Sequence, residues 1–120
     1  LTMDRKKKGY FTIDGDSPGK AVEILVAEGA AVIGANCSIT SGEMIDLAVE
    51  MRALTDTPLL FQPNAGLPMF SDGKAVYGQE PEEFADDLMK IIESGANAVG
   101  GCCGTTPDFI RALRARIDGM

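Results

Sequence analysis

Glu28-Gly29-Ala30-Ala31-Val32-Ile33-Gly34-Ala35-Asn36-Cys37 and Ser94-Gly95-Ala96-Asn97-Ala98-Val99-Gly100-Gly101-Cys102-Cys103 are two versions of one pattern. Each passes from a helix end through Gly-Ala into a short apolar strand, then a glycine, then cysteine. Cys37 and Cys103 stand 66 positions apart, the length of two strand–helix units of just over 30 residues each. A chain built from such successive units forms a parallel sheet, whose strands are short, continuously apolar and covered on both faces.

The segments around this repeat complete the alternation. Ser17-Pro18 reads as an N-cap followed by proline at the first helical position. Ala21, Val22, Ile24, Leu25 and Val26 supply the apolar side of that helix, and Gly29 ends it. Ala31 to Gly34 is a strand that runs on to Cys37. Ser41 is expected to cap a second helix, Gly42 to Leu54, and Asp56-Thr57-Pro58 breaks it. Leu59-Leu60-Phe61 is the next strand, with Gln62 to Gly66 as a loop. Leu67 to Gln79 reads as a long loop that turns at Ser71-Asp72-Gly73. Pro81 opens a third helix with Phe84, Leu88, Ile91 and Ile92 facing inward. Asn97-Ala98-Val99 is the third strand, and Thr106-Pro107-Asp108 starts a last helix ending near Ile117. The order helix-strand-helix-strand-helix-strand-helix fits a doubly wound sheet or a piece of a (β/α)₈ barrel, and the repeat favours the barrel. A complete barrel takes about 250 residues; the chain has 120, about half of one.

Composition narrows the function classes. The apolar and charged fractions, 45% and 24%, are those of a soluble globular domain. The net charge of −7 argues against nucleic acid, which requires a basic stripe. The single basic run, Arg5-Lys6-Lys7-Lys8, reads as a solvated loop. No apolar run reaches the roughly 18 residues of a membrane span, and no secretory leader opens the chain. The first residue is Leu rather than Met, which points to a start upstream.

The chain contains no histidine. That removes Ser-His-Asp and Cys-His catalysis and leaves thiolates as the soft metal ligands. Of the three cysteines, Cys102 and Cys103 are neighbours. Their Cα atoms, about 3.8 Å apart, fall below the usual disulfide range of roughly 4.4–6.8 Å. A disulfide scaffold is therefore disfavoured, and a reducing cytoplasm is the expected location.

Parallel strands bring their C-terminal ends to one face, where the sites of such folds lie. Cys37, Cys102 and Cys103 all follow strands, and Asn64 follows the strand between them. Three thiolates suit Zn²⁺, and three protein ligands leave a fourth position open, the mark of a catalytic zinc. A substrate thiol entering that position would be deprotonated near neutral pH. Asn64 offers an amide oxygen to the open position when substrate is absent, or a contact to substrate itself. Blander readings stand beside these. A lone cysteine is usually an inert apolar residue. Pro63-Asn64-Ala65-Gly66 has the composition of a tight turn. Gly100 to Thr106 also has the look of an anion cradle at a helix N-terminus, though it matches neither the P-loop nor the dinucleotide pattern.

Gly100-Gly101-Cys102-Cys103-Gly104-Thr105-Thr106-Pro107 resembles the C-terminal zinc motif of the homocysteine S-methyltransferase family. Gly34-Ala35-Asn36-Cys37 resembles its first zinc motif. Pro63-Asn64-Ala65-Gly66-Leu67-Pro68 resembles the segment between them, particularly in the homocysteine domain of cobalamin-dependent methionine synthase. The resemblance covers nearly the whole chain. It implies a (β/α)₈ barrel of which this chain is the C-terminal half, with Leu1 to Asp4 ending strand 5 and the rest running through helix 8. It implies zinc on Cys37, Cys102 and Cys103, and methyl transfer to homocysteine to give methionine. The donor would be a methylcorrinoid, betaine, S-methylmethionine or S-adenosylmethionine, and the partner a corrinoid or folate domain or protein. The N-terminal strands, whose acidic residues hold the substrate amino group in that family, have no counterpart here. The chain is accordingly expected to be a fragment, to pair with a separate N-terminal half-barrel, or to self-associate. Three other readings remain open: a non-catalytic zinc-binding or assembly module, a redox sensor, and a methyltransferase for another small thiol.

Overall fold

The computed structural model describes all 120 residues. Two short strands, β1 (Asp4–Lys6) and β2 (Gly9–Phe11), pair antiparallel at the start. They are followed by α1 (Pro18–Ala27), β3 (Ile33–Thr40), α2 (Ser41–Leu54) and β4 (Leu59–Asn64). Then come β5 (Pro68–Ser71), β6 (Lys74–Tyr77), α3 (Pro81–Glu93), β7 (Ala98–Val99) and α4 (Pro107–Asp118). The main sheet has the order β3-β4-β7, with both pairings parallel. The expected alternation of helices and strands is therefore present, and β4 separates the two strands that lead to cysteine.

Alternate residues of each strand face the helices. Ile33 and Ala35 of β3 and Leu59 and Phe61 of β4 are buried there, against Met44, Leu47, Ala48 and Met51 of α2 and Phe84, Leu88 and Ile91 of α3. The opposite sheet face carries Gly34, Asn36, Leu60 and Gln62, all of intermediate exposure. Gly34 leaves no alternative: a Cβ there would lie 1.7 Å from the Leu60 carbonyl oxygen. Phe84 and Phe109 hold α3 to α4 edge-to-face, with ring centroids 5.4 Å apart. At the far end of the sheet the Arg52 guanidinium donates to the carbonyls of Gly95 (3.0 Å), Thr57 (2.9 Å) and Thr55. This one side chain ties the end of α2 to the turns preceding β4 and β7.

The structure departs from the sequence reading in several places. Leu67 to Gln79 is not an irregular loop but the β5–β6 hairpin. Asp72 and Gly73 both take positive φ, 50° and 75°, the backbone that an Asp-Gly hairpin turn requires. Likewise Arg5 to Lys8 is a solvated hairpin tip rather than a loop, with Arg5 and Lys6 on β1. Leu1 to Met3 form no strand of their own, although Leu1 bonds β3 at Gly34 O (3.1 Å) and Asn36 N–H (2.8 Å). The cap of α2 is Thr40, not Ser41. Thr40 Oγ1 accepts from Glu43 N–H, and the Glu43 carboxylate returns to Thr40 N–H. Ser41 is fully buried and donates to Asp87 Oδ2 at 2.7 Å. In α1 only Pro18, Ala21 and Val22 are buried, while Ile24 and Val26 face outward. The first expected strand starts later and runs further, to Thr40.

Candidate metal centre

Three strand ends meet at one edge of the sheet. In β3 the pairing with β4 steps from Asn36↔Gln62 to Thr40↔Asn64, so that β3 holds two more residues than its partner. The surplus is absorbed by Cys37 and Ser38, at φ 60° and 58°. Left-handed backbone costs a non-glycine residue on the order of 1–3 kcal/mol and collects at functional sites. Here it aims Cys37 at the loop after β7.

That loop is bonded to the end of β4. Cys102 N–H donates to Pro63 O (2.9 Å), and Ala65 N–H donates to Cys103 O (2.9 Å). Cys103 N–H donates to the side-chain oxygen of Asn64 (3.0 Å). Asn64 is 6% exposed, so this amide works away from water, where a lost partner is costly. Thr105 Oγ1 closes the turn on Cys102 O at 2.7 Å. Gly104, at φ 80°, lets the chain leave the turn, and a Cβ there would lie 2.2 Å from Tyr77 Cγ.

The three sulfurs lie within 4.8 Å of one another, with Cys37 Sγ and Cys103 Sγ 3.5 Å apart. All three cysteines are free, Cys103 exposed and the others half-buried. Zn–S bonds of about 2.3 Å in a tetrahedron put sulfurs about 3.8 Å apart, so the donor set fits such an ion. The thiols are electrostatically unequal. Burial works to raise Cys37, but hydrogen bonds with Cys102, the Ser38 N–H and Cys103 outweigh it and hold the thiol below its ordinary value. Cys102 is pushed up to about 11, by burial first and then by its bond to Cys37. Cys37 therefore deprotonates before Cys102.

Cys37, Cys102 and Cys103 are therefore brought together, and Asn64 lies against them with its oxygen on the Cys103 backbone. Sequence reasoning missed two neighbours. Thr105 braces the Cys102 carbonyl. Tyr77, at the end of β6, lies across Gly104, next in sequence to Cys103. Burial first, then the charge and hydrogen bonding of Cys103, raise its phenol above the ordinary value. The available signal was Asp72-Gly73 between two apolar stretches, a hairpin pattern that returns Tyr77 to the strand ends.

Known proteins share this architecture. A family model described as homocysteine S-methyltransferase matches residues 1–117. A methionine synthase of Mycobacterium leprae (strain TN) is 38% identical over 104 residues, 86% of this chain and 9% of that protein. Homocysteine S-methyltransferase 2 of Arabidopsis thaliana is 33% identical over 116 residues, 92% of this chain and 34% of that protein. The metallated form of the homocysteine methyltransferase MmuM from Escherichia coli superposes with a TM-score of 0.68 at 31% identity, over 86% of this chain and 30% of that one. The chain thus spans between about a tenth and a third of the length of these relatives. The match over nearly its full length establishes that the chain belongs to the homocysteine S-methyltransferase family.

Proposed function

We propose that this chain supplies the metal centre for methyl transfer to a small thiol, homocysteine, to give methionine, with Cys37, Cys102 and Cys103 holding Zn²⁺. The observation that carries the reading is the convergence of three free thiols within 4.8 Å, at the strand ends of a chain in this family. Zinc held by three protein sulfurs keeps a fourth position for the incoming thiol and lowers its pKa, which supplies a nucleophile near neutral pH.

The chain's own residues do the rest. The left-handed pair Cys37-Ser38 and the β4-bound loop hold the sulfurs in register, and Asn64 fixes Cys103 through its backbone. In the transfer the acceptor loses its thiol proton to solvent. Its sulfur bonds the methyl carbon as the methyl–donor bond breaks, and the electron pair of that bond leaves with the donor. A methylcorrinoid carried elsewhere is the donor class favoured by the likeness to a methionine synthase.

The same reading makes the chain, over residues 1–120, the C-terminal half of a (β/α)₈ barrel, with β3, β4 and β7 as three of its strands, in a reducing cytoplasm. The inner sheet face at Gly34, Asn36, Leu60 and Gln62 would meet the N-terminal half, which carries the amino-group contacts. A second reading is a zinc-binding module without turnover, because the same three thiols would hold the ion whether or not a substrate site adjoins them.

The test is zinc content under reducing conditions, for the chain and for Cys37→Ser, Cys102→Ser and Cys103→Ser variants, followed by methyl transfer to homocysteine with an N-terminal half added. About one zinc per chain, lost in each variant, with turnover on addition of the half, is the expected outcome. Zinc without turnover leaves the second reading. Zinc retained in all three variants overturns both.

A further inference from the structure

The chain has five side-chain amides: Asn36, Gln62, Asn64, Gln79 and Asn97. Three are committed within the fold. Asn64 accepts from Cys103 N–H, Asn97 accepts from Leu59 N–H, and Gln79 donates to Ser41 Oγ. The other two, Asn36 and Gln62, have no such bond, and they are partners in register across β3 and β4. Both stand half-buried on the sheet face turned away from the helices. They line a hollow of about 380 Å³ whose other walls include Leu1, Val32, Gly34 and Leu60. A largely apolar wall with a few uncommitted polar groups is the pattern of a ligand pocket. The pair marks the end of this hollow nearest the cysteines. Cys37 directly follows Asn36. Gln62 lies against Gly100, two residues before Cys102, where a Cβ would come 3.4 Å from Gln62 Nε2.

We propose that Asn36 and Gln62 form a carboxylate subsite: their amide nitrogens bind the carboxylate of an α-amino-acid thiol whose sulfur sits at the cysteine centre. Each amide nitrogen offers two donors. Adjacent strands run about 4.8 Å apart, so two amides opposite one another in register can each take one oxygen of the same carboxylate. Hydrogen bonds to an ionised acceptor are roughly twice as strong as neutral ones. Asn36 is one residue from Cys37, about 3.8 Å between Cα atoms, a step that the short chain between the sulfur and carboxylate of homocysteine can span. The pair thereby selects amino-acid thiols over thiols that lack the acid group. The inference deepens the proposed function and rests on the three cysteines as metal ligands.

The test measures binding by calorimetry, with the full zinc-loaded chain and two probes, homocysteine and 3-aminopropane-1-thiol, which is homocysteine without its carboxylate. Asn36→Leu and Gln62→Met, close in size to the residues they replace, are compared with wild type, and zinc content is measured in each. Wild type is expected to prefer homocysteine at least tenfold, the scale of hydrogen bonds to a charged group. Each variant should keep its zinc, lose about tenfold in homocysteine affinity and bind the aminothiol as wild type does. Equal losses for both probes would assign the amides a structural role and overturn the proposal. It is equally overturned if neither variant changes the preference, or if zinc-loaded wild type binds the two probes alike or binds neither; in those cases the metal site still stands. If wild type holds no zinc, the metal assignment fails and the subsite fails with it.

Discussion

The cysteine-bearing strand ends and the β5–β6 hairpin lie side by side, yet opposite forces hold them. The strand ends are pinned from below. Pro63, Asn64 and Ala65 exchange three hydrogen bonds with Cys102 and Cys103, and Leu59 and Phe61 of β4 beneath them are fully buried. The hairpin has its own ladder, an Asp-Gly turn and one clamped tyrosine. The difference teaches that this rim combines a preorganised centre with an adaptable border. The sulfurs need to be in place before a metal binds, because ordering them at that moment would cost affinity. The hairpin has no such bonding to the sheet, and its Met69 and Phe70 are exposed.

That contrast can be broken or sharpened by substitution. The largest effect is expected from Phe61→Ala, which opens a cavity in the fully buried layer that supports Asn64. It should cost about 3–5 kcal/mol in urea unfolding, and a loss below about 1 kcal/mol would mean that the strand ends do not depend on the core under them. Asn64→Ala comes next. It strands the Cys103 N–H and should cost about 1–3 kcal/mol, with metal affinity lowered at least tenfold in a chelator competition; unchanged affinity would show that the backbone bonds alone position Cys103. Gly104→Ala forces alanine into left-handed backbone, at about 1–2 kcal/mol, and displaces Tyr77. Limited proteolysis should then cut within residues 67–79 faster than in wild type, whereas equal rates would show that the hairpin is held otherwise. Phe70→Ser should be the mildest, within about 0.5 kcal/mol of wild type. A clear destabilisation there would show that the hairpin packs against something, a second copy included.

Much of this was legible in the sequence because it rests on local chemistry. Pro18, Pro81 and Pro107 each open a helix at its first residue, and the apolar stretches at Ile33, Leu59 and Ala98 each become a strand. The Gly-Gly-Cys-Cys-Gly run marked its loop through residue types alone. The errors have a common origin. Thr40 and Ser41 are both good caps, and the choice fell to Thr40 because Ser41 is drawn into a buried bond with Asp87, 46 residues away. Ile24 and Val26 fit an apolar helix face by spacing, but the face that is covered is set by where α2 lies.

The sequence by itself determined the element order, the parallel alternation and which residue types could hold a metal, since these depend on periodicity, caps and side-chain chemistry within a few residues. The tertiary structure decided the rest: the two-residue surplus in β3 that turns Cys37 toward Cys103, the hydrogen bond that commits Asn64 to the Cys103 backbone, and the hairpin that lays Tyr77 on Gly104. Each of these joins segments tens of residues apart, and such contacts are selected by packing, which no local pattern encodes.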